Sequence, residues 1–191
     1  VQQFRPWGDP HGILQTQSAT SLGQWNYVIS SSTNYSYSPI RSESAQKPIL
    51  EHQLSADLMF GIGLIPNIDV YLHLPVTLFQ SGTTLNWWGG YTRSQVLTGI
   101  FMRDIRFAIK VRMLSEYMNK ISFALMLHIG LPTGSEDTFN GEETVSAGAT
   151  LLLSKKINLF QIACNIGYRY SPFSYFQTTI SHELFITTGL S

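Results

Sequence analysis

Residues 104–113 read Asp-Ile-Arg-Phe-Ala-Ile-Lys-Val-Arg-Met. Ile105, Phe107, Ile109, Val111 and Met113 take alternate positions. Asp104, Arg106, Ala108, Lys110 and Arg112 fill the positions between. Side chains of a strand point alternately to its two faces, so this stretch is a strand with one apolar and one charged face. Neither a helix nor a strand buried on both sides would keep four ionised residues in that phase.

The same alternation extends in both directions. Leu54, Ala56, Leu58, Phe60, Ile62 and Leu64 alternate with Gln53, Ser55, Asp57, Met59, Gly61 and Gly63; the pattern extended back places Leu50 on the apolar face and Glu51 on the polar one. Ile65-Pro66-Asn67 is a turn, and Ile68 to Leu78 resumes with Asp69, Tyr71, His73, Pro75 and Thr77 on the polar side. Further strands are expected over 24–38, 121–131, 145–154, 160–170 and 180–190, which makes about eight. Short turns at Ile65–Asn67, Ser115–Asn119 and Lys155–Asn158 alternate with longer links at Pro39–Ile49, Gln80–Gly99, Pro132–Glu143 and Ser171–Thr178. Strands of this kind, joined by short turns at one end and long loops at the other, imply an all-β, antiparallel up-and-down barrel of the transmembrane type.

Composition favours the same class. Twelve Lys and Arg balance twelve Asp and Glu, so no basic surplus suggests nucleic acid. Charged residues make up 13% of the chain, against about 25% in an ordinary soluble domain. No apolar run approaches the ~20 residues of a membrane helix, so a spanning chain would have to use a closed barrel. The polar face is rich in Gly, Ala and Ser. That is a poor soluble exterior and a suitable crowded interior. The apolar face is therefore expected to point outward to lipid, with Arg106 and Lys110 inside. Residues 1–19 are expected to be a periplasmic lead-in or plug, and 20–191 the barrel. The start at Val1 is read as a chain whose signal peptide has been removed.

The expected interior charges are Glu51, Asp57, Asp69, Asp104, Arg106, Lys110, Arg112, Arg169 and Glu183. Mixed signs suit ion pairs bracing a narrow barrel; a selectivity lining for a pore is the alternative. Aromatic residues gather toward the strand ends as two girdles: Trp25, Tyr27, Tyr117 and Phe160 at one, Tyr35, Tyr37, Trp87, Trp88, Tyr168 and Tyr170 at the other. No catalytic constellation emerges. Ser181-His182-Glu183 places His and Glu on opposite faces, and His73 with His128 lacks ligand spacing. No enzyme activity, metal or cofactor is expected, and lipid hydrolysis is only a distant alternative. The acidic, glycine-rich link 131–143 does not match a calcium-loop spacing and is expected to be a solvated surface loop. Cys164 falls on the apolar face.

Several segments resemble the barrel region of OmpA-family outer-membrane proteins: FRPWGDPHGILQTQSATSLGQWNY (4–27), HQLSADLMFGIGLIPNIDVYLHLPVTLFQSG (52–82), DIRFAIKVRML (104–114), IGLPTGSEDTFNGE (129–142) and NIGYRY (165–170). The resemblance implies a barrel of the Gram-negative outer membrane, with the N-terminus periplasmic. Lipid and lipopolysaccharide would be its surroundings, and other envelope proteins its possible partners. Peptidoglycan-binding domains often follow such barrels, but no wall-binding residue can be carried over to these 191 positions. Eight strands closing by themselves and a barrel that continues further both remain open.

Overall fold

The structure is a computed structural model. It describes residues 9–10, 12, 16–41, 48–82, 98–135, 138–142, 144–175 and 178–190. Trp87 and Trp88 lie outside the described residues, as does His11.

The elements are β1 (Tyr27–Arg41), β2 (Pro48–Ile65), β3 (Ile68–Gly82), β4 (Gly99–Met102), β5 (Arg106–Leu114), a one-turn helix α1 (Glu116–Asn119), β6 (Ser122–Gly130), β7 (Ser146–Ile157), β8 (Phe160–Tyr175) and β9 (Thr178–Leu190). The strands form one antiparallel sheet in the order β1-β2-β3-β5-β6-β7-β8-β9, with β4 paired to β3. The sheet curls into an open half-barrel, and no pairing joins β1 to β9 among the described residues.

Eight lanes contain nine strands because one lane is broken. β4 pairs with the upper part of β3 (Val76 with Met102), and β5 pairs with the lower part (Ile68 with Val111). The break falls opposite Pro75, whose carbonyl accepts from Arg103 N at 3.1 Å. In an antiparallel pair one residue's N–H and C=O face the same neighbour. The proline nitrogen, which has no proton, therefore faces this lane and cannot continue the ladder. The alternation around residue 105 predicts a strand starting at Asp104; the structure starts it at Arg106. The strand at Gly99–Met102 falls at the end of the expected long link.

The two faces differ as the alternation implies. Phe107, Ile109, Leu127, Leu151 and Ile166 are exposed on the convex side. The concave side carries the buried Asp57, Asp69, His73, Thr77, Lys110, Thr150 and Asn165. Its apolar residues mix small and large side chains: Ala19, Tyr71, Ala108, Ala124, Met126 and Leu152 form a buried cluster, with Leu22 and Val28 packed against it.

Three expectations are corrected. The register slips between Leu50 and His52, so Glu51 is the extra residue of a β-bulge. Leu50 is buried instead, and Glu51 is exposed. The link after β8 is not long: Tyr175 pairs with Thr178, so only residues 176 and 177 connect the strands. Finally, Thr138 and Asn140 of the expected surface loop reach back to Gln80 and Thr77 of β3.

Candidate functional site

The polar concave face is organised in three tiers, taking the Pro66-Asn67 turn as the lower end. The lower tier centres on Lys110, which is fully buried. Its Nζ donates to the Thr20 carbonyl at 2.7 Å and lies 3.5 Å from both Asp9 Oδ2 and Asp69 Oδ2. The ammonium also sits 5.2 Å from the Tyr71 ring centroid, close enough for a cation–π contact. Asp69 in turn accepts from Ser21 Oγ at 2.9 Å and from Leu22 N at 3.1 Å. Asp9 accepts from Ser18 N at 2.8 Å. One lysine and two carboxylates thus tie residues 16–22 to β3 and β5.

That segment lies along the concave face. Thr16, Gln17, Ser18, Ala19 and Ser21 are buried. Ala19 N donates to Ser154 Oγ at 3.1 Å. The Asn165 amide, oriented to satisfy both partners, accepts from Gln17 N at 2.6 Å and donates to Gln17 O at 3.0 Å. Gly23 (φ +83°) turns the chain out toward β1. At Gly63 opposite, a β-carbon would run into the Gly23 carbonyl, so this crossing needs glycine.

The middle tier contains Asp57, His73 and Arg106. His73 Nε2 donates to Asp57 Oδ1 at 2.8 Å, and Arg106 Nη2 lies 3.4 Å from the same nitrogen. Arg103, which turns inward at the lane break, is also buried. His128 packs on Gly148, where a β-carbon would collide with its imidazole.

The upper tier holds part of the link between β6 and β7. Thr77 Oγ1 donates to Asn140 Oδ1 at 2.5 Å, Gln80 Nε2 donates to Thr138 O at 2.9 Å, and Asn140 Nδ2 donates to Gln80 Oε1 at 2.9 Å. Asp104 accepts the backbone N–H groups of Gly134 (2.9 Å) and Glu142 (2.8 Å). Arg169 Nη2 donates to Glu142 Oε2 at 2.7 Å, and Ser171 donates to the same oxygen at 2.5 Å. Residues 138–142 therefore fold over the concave face.

Of the nine expected interior charges, Asp57, Asp69, Arg106, Lys110 and Arg169 lie there, and Asp104 supports the upper tier from the lane break. Glu183 sits on the concave side of β9, 3.4 Å from Arg169. Arg112 instead binds the lower turn, reaching Pro66 O and Asn67 Oδ1. Glu51 is displaced by its bulge. Asp9, Arg103 and Glu142 join these charges without an alternation signal: the first and last lie outside any strand, and Arg103 sits where alternation stops. Their only signal was charge within otherwise apolar or glycine-rich surroundings.

The aromatic residues expected in girdles, other than Trp87 and Trp88, are all exposed. Tyr168 Oη lies 2.5 Å from His182 Nδ1 on the convex side, while Glu183 turns to the concave side toward Arg169. The Ser181-His182-Glu183 run therefore does not converge. Among the described residues no group of three or more His, Cys, Asp or Glu side chains is placed to hold a metal ion. Comparison with protein-family models finds no match for this chain, and a search of curated proteins finds none. The resemblance to OmpA-family barrels thus rests on the quoted segments alone.

Proposed function

We propose that the chain is an outer-membrane β-barrel with a structural, anchoring or docking role, its lumen filled rather than open. The observation that carries this reading is the inversion of polarity. Lys110 is fully buried on the concave side between Asp9 and Asp69, while its neighbours Ile109 and Phe107 are exposed on the convex side. A water-soluble sheet of this curvature would bury the opposite face. On β2 the outward residues from Leu54 to Leu64 span ten residue steps. At ~3.3 Å per residue and a tilt of about 45° this makes a band about 23 Å tall, close to the ~25 Å of a membrane barrel.

Two segments support a filled interior. Residues 16–22 lie along the lower concave face, and residues 138–142 cover the upper one. An open porin would have to move both. The sheet must also close in lipid, because an unpaired edge leaves backbone N–H and C=O groups without partners. Pairing of β1 with β9 is the simplest closure.

Planar-bilayer recording tests the reading. The refolded chain is expected to insert, show the heat-dependent gel shift of a folded barrel, and carry no steady single-channel current. A stable conductance whose ion selectivity changes with Arg106→Gln would establish the porin alternative instead. A dispersed monomer in plain buffer would overturn both.

A further inference from the structure

Two clusters of the same composition sit on the convex face, toward the loop end of the two edge hairpins. On the first, Tyr35 Oη lies 2.6 Å from His52 Nδ1. The His52 ring stacks on Tyr35 (centroids 6.1 Å apart, planes at 24°) and tilts against Tyr37 (5.3 Å, 49°). On the second, Tyr168 Oη lies 2.5 Å from His182 Nδ1. The His182 ring stacks on Tyr168 (5.9 Å, 30°) and tilts against Tyr170 (5.4 Å, 48°). The registers are equivalent too: Tyr37 pairs with His52, and Tyr170 pairs with His182. Each ascending strand supplies Tyr-x-Tyr and each descending strand the histidine.

A phenol O–H is a good donor, and with each tyrosine donating to Nδ1 the imidazole carries its proton on Nε2. Each histidine then keeps one N–H donor, beside two phenol rings of the neighbouring strand. Below His52 the outward residues of β2 are Leu54, Ala56, Leu58, Phe60, Ile62 and Leu64; below His182 those of β9 are Leu184, Ile186, Thr188 and Leu190. The donor stands at the upper margin of the apolar band, where acyl chains give way to headgroups. A polar group there must find an acceptor or lose its solvation.

We propose that His52 and His182, each clamped by its tyrosine pair, bind the phosphate group of a membrane lipid at the loop-side interface. This rests on the membrane reading above. The phosphate oxygens are the strongest acceptors at that depth, and tyrosine rings favour the same zone. If β1 pairs with β9, the two clusters become neighbours on one belt that runs Tyr168 and Tyr170, His182, Tyr35 and Tyr37, then His52.

The test uses the full chain folded in alkyl maltoside micelles, which contain no phosphate. Phosphatidylglycerol is titrated in, with a galactolipid of matched chains and inorganic phosphate as separate arms. Phosphatidylglycerol is expected to shift both imidazole Nε2 resonances and to be retained in native mass spectra. The variant His52→Phe with His182→Phe is expected to fold normally by gel shift and retain that lipid several-fold less. Equal retention by the variant, or an equal shift from galactolipid or inorganic phosphate, would overturn the proposal. Failure of the unmodified chain to enter micelles at all would overturn the membrane reading with it.

Discussion

Lys110 sets the electrostatic demand of the lower tier. It is fully buried, and its ammonium is offset by Asp9, Asp69 and the Thr20 carbonyl. Removing one partner of such a group leaves charge behind in a site without solvent, at a cost of about 3–5 kcal/mol. Lys110→Met is expected to lower unfolding stability in micelles by about that amount, as read from urea midpoints. Adding Asp69→Asn to that variant is expected to recover part of the loss, because contacting residues are not additive. An additive double variant would show that Lys110 and Asp69 do not act as a unit. The middle tier obeys the same rule less strictly: Arg106 is only half-buried, so solvent shares the burden of its charge.

At the scale of elements, regular alternation made the strand centres legible from sequence. It placed Asp57, Asp69, Lys110 and Arg169 on one side because a strand's period of two holds wherever pairing is regular. It failed where pairing is interrupted. Glu51 is turned out by a bulge, and Arg103 turns inward where Pro75 breaks the neighbouring lane. No local pattern marks a bulge, since the extra residue is defined by its partner strand. The link between β6 and β7 escaped for a related reason. Its inward fold depends on Arg169, Ser171, Thr77 and Gln80, residues distant in sequence. Glu142 is its chief anchor, meeting Arg169 and Ser171 while its N–H donates to Asp104. Glu142→Ala removes charge-assisted hydrogen bonds worth about 1.5–3 kcal/mol, but the sheet beneath keeps its pairing. The expected outcome is local: protease cleavage within residues 131–145 speeds up, while the global unfolding midpoint moves little. A midpoint that falls as far as in Lys110→Met would make this link part of the barrel's cooperative unit.

For the whole molecule the outstanding demand is the pair of edges that have no partner strand among the described residues, fifteen residues long on β1 and thirteen on β9. Such edges recruit other strands or aggregate unless they pair, and in lipid they cannot persist. Two features favour pairing with each other. The faces match, since Ile29 and Tyr35 on β1 and Leu184 and Ile186 on β9 all point outward, leaving Ser30, Ser32 and Thr187 inside. Those three hydroxyls are sequestered without a hydrogen-bond partner, whereas buried polar groups are ordinarily satisfied, and joining the edges would bring them to one seam. Cysteine scanning tests this directly, after Cys164→Ala removes the native thiol. Thr187→Cys is combined in turn with cysteine at Ser30, Ser32, Asn34 or Ser36, and each pair is folded in micelles and oxidised. One intramolecular disulfide is expected to dominate, because side-chain facing and the pleat allow one register and penalise its neighbours. Cross-links between separate chains would place a second copy at the seam. No cross-link at any position would mean that other strands lie between β1 and β9, and the filled eight-lane barrel would give way to a larger one.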